Sequence, residues 1–178
     1  FFYEDKDLIK RIFKIAIPSV FDLLAQTLIS TSDMIMVSSM GASAISSVGV
    51  GSAAMNATLP ALIAVAIGTT ALLSRAYGAK NREEGRKAFV QSYYISVPLG
   101  IFLCLLFYFF AEPMIKIIGG AKDLNLQDAI LYQKVTSFGF ISLSIGIATF
   151  YAYRALGKNK IPMIGNSLIL VINIIFNY

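Results

Sequence analysis

Histidine is absent from the 178 residues and cysteine occurs once. Imidazole catalysis, histidine-ligated metal sites and an intrachain disulfide are thereby excluded. Cys104 lies inside an apolar run and says nothing about redox compartment. Charge is scarce too: charged side chains make up 14% of the chain, where soluble domains carry about a quarter. From Ile15 to Ser74 only Asp22 and Asp33 are charged. Strand-like alternation and low-complexity segments are missing, as are a nucleophile–base pair, a phosphate-binding glycine loop and a Walker motif. Neither ATP coupling nor an enzyme activity is supported.

What is there is apolar. Hydrophobic residues reach 57% and the mean hydropathy is +0.71, the profile of an all-α, polytopic integral membrane protein lodged in a lipid bilayer. At about 20 apolar residues per crossing, the sequence predicts five spans, at about 12–39, 45–74, 88–111, 130–154 and 161–178. The joints are short: Met40-Gly41-Ala42-Ser43, then RAYGAKNREEGRK, then AEPMIKIIGGAKDLN with Pro113 and Gly119-Gly120 as breakers, then ALGKNKIP. Ala42-Ser43-Ala44 mimics a signal-peptidase site, but the apolar stretch before it is about twice the usual 7–15 residues, so the first span is read as retained.

The net charge of +5 reads as topogenic, not as a nucleic-acid footprint. Twelve of the 15 basic residues fall on one side: Lys6, Lys10, Arg11 and Lys14 at the N-terminus, Arg75, Lys80, Arg82, Arg86 and Lys87 at the second joint, and Arg154, Lys158 and Lys160 at the fourth. By the positive-inside rule the N-terminus is cytoplasmic and the chain is a multi-pass protein of the cell membrane.

Asp22 and Asp33 are eleven residues apart, which at about 100° per residue brings them within about 20° of each other on a helix. Gln26 and Ser30 lie on the same side. The fifth span carries a second stripe, Asn166, Asn173 and Asn177. At about 1.5 Å per residue, Asp22 and Asn166 lie about 10 Å and 8 Å from the cytoplasmic end, with Asp33 at about 27 Å and Asn173 and Asn177 at about 18 Å and 24 Å. The stripes pair by level. An ionisable group at mid-helix costs about 2.5–3.5 kcal/mol on insertion scales, so both stripes are expected to face a bundle interior or a water-filled cavity. Amides and hydroxyls there can also serve as interhelical glue. A carboxylate has a further use, because it can change protonation or hold a monovalent cation. Asp22, nearer the interface, also reads as a hydrated charge.

At this point the sequence resembles the multidrug and toxic compound extrusion (MATE) transporters, within a wider group that includes flippases for lipid-linked sugars. The resemblance is carried by IPSV at 17–20, DMIMV at 33–37 followed by MGASAISSVGVG, SRAYGAKNREEGRKAF, YRALGKNKIP and the terminal NIIFNY. It implies a twelve-helix fold of two six-helix lobes, exporting small cationic or amphipathic organic compounds in exchange for H⁺ or Na⁺, with no other cofactor. On that view the chain is most of an N-terminal lobe, lacking the sixth helix and the C-terminal lobe as its partner. The resemblance also assigns the cation-coupling site to Asp33, Asn173 and Asn177, with Na⁺ a candidate occupant, and leaves Asp22, Gln26, Ser30 and Asn166 to line a cavity. Asn177 stands where well-described members carry Asp, which removes one negative charge from the site. The alternatives are a flippase on the same fold, disfavoured because no span carries a mid-membrane Arg for a pyrophosphate, and a non-transporting helix assembly.

Overall fold

The computed structural model describes residues 6–39, 41–119 and 126–177. Every regular element among them is a helix: α1 (Lys6–Ser38), α2 (Ala42–Gly78), α3 (Arg82–Phe109), α4 (Ala111–Gly119), α5 (Leu126–Ser137), α6 (Gly139–Ala155) and α7 (Lys160–Asn177). Three of these, α1 from Ile12 onward, α2 and α3, are long and apolar enough to cross a membrane. The pair α5 and α6, bent by 45° at the break, reaches the same length and hydropathy only when the two are taken together as one broken span. The protein is an all-α, multi-pass membrane bundle.

Two local features differ from the sequence reading. The segment after the third span, expected as a joint, forms α4. Pro113 is its third residue, within the first turn, where the missing N–H has no intrahelical partner to lose. The fourth span, expected as one helix over 130–154, starts earlier and is broken between Ser137 and Gly139, where a glycine, weak in helix interiors, opens α6. The fifth expected span is α7, whose 18 residues cover about 27 Å, slightly less than the roughly 30 Å hydrocarbon layer.

The helix ends follow their chemistry. Asn81 caps α3: its Oδ1 accepts the Glu84 backbone N–H at 3.1 Å, and its Nδ2 donates to Glu84 Oε2 at 3.2 Å. At the end of α2 the Asn81 N–H reaches Ala76 O and the Lys80 N–H reaches Tyr77 O; at the end of α6 the Lys158 N–H reaches Tyr153 O and the Gly157 N–H reaches Arg154 O. Both are the Schellman turn, which needs one left-handed residue. Gly157 supplies it at φ +70°, Lys80 at φ +54°.

Packing centres on α2, whose backbone approaches α1, α3, α4, α5 and α6. The apolar core lies among Ala54 and Leu62 of α2, Leu103, Cys104 and Phe107 of α3, and Phe140 of α6. The α3–α6 approach is close enough that a Cβ on Gly100 would meet Ser144 Cβ at 2.8 Å and the Phe140 carbonyl oxygen at 3.0 Å, leaving no space for alanine. Hydroxyls add bonds across the seams: Tyr93 with Thr149 at 2.5 Å, and Ser74 Oγ donating to Ala155 O at 3.3 Å. Such hydroxyls are the usual polar glue between membrane helices. In the phenylalanine-rich FLCLLFYFF, Phe102, Phe109 and Phe110 are exposed while Phe107 is buried, so the run is part lipid-facing surface and part core.

The backbone of α1 comes close only to α2 and α7 among the described residues, and that of α7 only to α1 and α6. The two form a pair on the flank of the bundle, and the acidic ends of the α1 stripe meet asparagines of α7 along their seam.

Candidate functional site

The α1–α7 seam is tied at two levels. At the deeper level, Asn173 Nδ2 donates to Asp33 Oδ1 at 2.9 Å. Both residues are half-buried, while Asn173 Oδ1 itself is fully enclosed and accepts no hydrogen bond. The Asp33 carboxylate therefore lies against an amide whose own oxygen keeps an unused lone pair. Asp33 makes further contacts beyond Asn173, and Tyr132 of α5 lies within electrostatic reach of it. The Tyr132 ring also fills the space beside Gly51 of α2, where a Cβ would meet it at 2.7 Å. The side chain of Asn177, the third residue expected at this level, lies outside the described residues.

At the level nearer the basic end, Asp22 is buried with 2% exposure. Arg154 Nη2 donates to its Oδ2 and Asn166 Nδ2 to its Oδ1. Asp22, which also reads from the sequence as a hydrated charge, is instead enclosed and ion-paired with Arg154. Asn166, 7% exposed, is buried against the same carboxylate. The Arg154 guanidinium also stacks over the Tyr151 ring, 5.0 Å from its centroid, which holds the planar group in register. A turn earlier on α1, Asn159 Nδ2 donates to Ser19 Oγ at 2.9 Å. Three donors from the α6–α7 connection and its flanks therefore clamp the middle of α1.

On the sequence alone Arg154 reads as a topogenic charge and Asn159 as part of the joint before the fifth span. The signal that finds them is the demand of Asp22 itself, since a carboxylate so deep needs a donor and Arg154 is the base ending the neighbouring span at its level. Gln26 and Ser30, between the two levels, are exposed. Ser30 Oγ turns back to Gln26 O at 3.3 Å, so neither side chain joins the seam. The stripe on α1 is buried at one end, half-buried at the other, and open between.

Oxygen donors of this kind suit a proton or a hard monovalent cation, and among the described residues no group of three or more His, Cys, Asp or Glu is gathered as a polyvalent metal would need.

Comparison with known proteins gives the family. The chain is 27% identical to a probable multidrug resistance protein NorM of Thermotoga maritima, over 98% of this chain and 38% of that protein. It is 23% identical to a probable multidrug resistance protein NorM of Bacillus licheniformis, over 98% of this chain and 39% of that protein. It thus spans less than half the length of the curated relatives it matches. No solved structure matches it significantly. The MatE family model matches residues 18–178, from the first helix through α7, and the chain belongs to the MatE family.

Proposed function

We propose that this chain forms part of a multidrug exporter, an antiporter driven by H⁺ or Na⁺, in which Asp33 and Asn173 receive the coupling ion. The observation that carries this reading is the Asp33–Asn173 pair with the enclosed, unpartnered Asn173 Oδ1 beside the carboxylate. Interhelical glue would be served as well by two amides. A carboxylate next to an idle amide oxygen is a receptor for positive charge. Asn177, one turn beyond Asn173 on α7, is the third residue proposed for the same ion.

The open stretch of α1 at Gln26 and Ser30, flanked by exposed apolar residues such as Leu23 and Leu28, is the surface proposed to face the cavity for cationic or amphipathic compounds. Alternating access then requires a second bundle to rock against this one. The multidrug resistance proteins that the chain resembles support the substrate class, and the family match supports transport over catalysis. In the full-length protein Asp33→Asn should leave membrane abundance unchanged and abolish ion-driven efflux of a cationic dye. Wild-type efflux by that variant would reduce Asp33 to glue.

The proposed orientation puts the N-terminus and the α2–α3 turn in the cytoplasm of a cell, at the inner face of its membrane. A cysteine at Glu84, which is exposed on α3, in a Cys104→Ser background should resist an impermeant thiol reagent in intact cells and react after permeabilisation. Labelling in intact cells would invert the orientation.

A further inference from the structure

A cavity of about 670 Å³ lies away from the α1–α7 seam, where the turn between α2 and α3 meets the end of α6. Its floor is apolar, formed by Leu73, Ala76, Phe89, Ala152 and Leu156. Its rim carries Lys80 and Arg82 with Asn81 between them, and no carboxylate lines it. Neither cation has an acidic partner among the described residues, and the two acids next in sequence are engaged elsewhere. Glu83 pairs with Lys87 at 2.8 Å, and Glu84 accepts from Asn81. The result is a greasy pocket with two unneutralised positive charges at its mouth, framed by membrane spans.

A second observation concerns Lys80. The Schellman turns ending α2 and α6 have the same hydrogen bonds, yet one places glycine at the left-handed position and the other places lysine, at φ +54°. Glycine adopts that conformation freely, whereas a lysine there is strained and persists only where something compensates. The strained side chain is one of the two that charge the cavity rim.

We propose that this cavity binds one anionic phospholipid. Its phosphate sits on Lys80 and Arg82, and its glycerol and upper acyl segment cover the apolar floor. A free phosphate ester would neutralise the rim but leave the floor uncovered. A zwitterionic lipid would cover the floor but bring its own cation to a rim already positive. An anionic lipid satisfies both, as in other basic pockets between membrane helices. The site does not depend on the coupled-export reading, and binding in detergent does not depend on orientation.

The full-length protein, purified in detergent, is titrated with phosphatidylglycerol, phosphatidylcholine and glycerol 3-phosphate. Native mass spectrometry counts retained lipid, and the thermal midpoint reports stabilisation. Wild type should retain one phosphatidylglycerol in preference to phosphatidylcholine and should not respond to glycerol 3-phosphate. Lys80→Gly and Arg82→Gln should each weaken phosphatidylglycerol binding about fivefold, and the double variant about 25-fold. Lys80→Gly keeps the left-handed turn, so its lipid-free midpoint should match or exceed wild type. Wild-type affinity in the double variant, equal retention of phosphatidylcholine, or an equal midpoint shift with glycerol 3-phosphate would each overturn the proposal. So would a fall in the lipid-free midpoint of Lys80→Gly, which would make Lys80 a turn residue only.

Discussion

Asp22 and Asp33 stand on one helix, face the same partner helix and each accept a hydrogen bond from an asparagine of α7. Their surroundings nevertheless differ in the one respect that decides what a carboxylate can do. Asp22 is sealed and its charge is cancelled by Arg154, whose guanidinium is itself braced by Tyr151. Asp33 is half-buried beside a neutral amide with an unused oxygen. A neutralised, enclosed carboxylate holds helices together. One that accepts a hydrogen bond from a neutral amide is the carboxylate proposed above to receive the coupling ion. The position of a buried acid along a helix is therefore a poorer guide to its role than the identity of the base at its level.

The sharpest way to break this contrast is Asp22→Ala. It leaves the Arg154 guanidinium, with only 29% of its side chain exposed, beside a buried gap and strips the Asn166 amide of its acceptor. Removing one partner of a buried pair costs about 3–5 kcal/mol, enough to lower the thermal midpoint and membrane abundance strongly. The double variant Asp22→Leu/Arg154→Met, which removes both charges, should recover much of that loss. An Asp22→Ala protein as stable as wild type would mean that the pair contributes nothing.

Asp33→Asn makes the opposite expectation. It keeps the shape and replaces an amide–carboxylate bond with an amide–amide bond, a change of about 1 kcal/mol or less, while removing the group proposed to titrate. Stability should hold and coupled efflux should fail. If both variants lose stability alike, the division between a structural and a functional carboxylate collapses.

Much of this was legible in the sequence, and the reasons for the exceptions are physical. Periodicity and the scarcity of charge give the all-α membrane class, and helical depth pairs Asp22 with Asn166 and Asp33 with Asn173 and Asn177. The bonds to Asn166 and Asn173 are seen, while the Asn177 side chain lies outside the described residues. Arg154 is not legible as a partner, because a base at the end of a span is normally an interfacial anchor and only the reach of its side chain from the end of α6 to Asp22 makes it otherwise. Pro113 was read as a breaker, since its position relative to a helix start is invisible until the helix is seen. Lys80 was read as a topogenic charge because a left-handed backbone leaves no mark in the sequence when the residue is not glycine.

The smallest expected effect belongs to an exposed acid–base pair on α4. Lys116 Nζ reaches Glu112 Oε1 at 2.6 Å within α4, with both side chains more than half exposed. By separation alone this pair would rank with Asp22 and Arg154. The hydrogen bond and charge of Lys116 hold the Glu112 carboxyl below its ordinary value of 4.5. Any stability it contributes is therefore present above that value and lost as the pH falls through the lower folded value. Water and salt screen an exposed pair, and the two flexible side chains lose entropy in holding one geometry, so most or all of the Coulomb gain is cancelled. Glu112→Gln should thus leave the thermal midpoint unchanged at pH 7, in low and high salt alike, while Asp22→Ala lowers it in both. A comparable loss at Glu112 would show that separation, and not burial, sets what an ion pair contributes here, and the contrast between the two carboxylates of α1 would lose its physical basis.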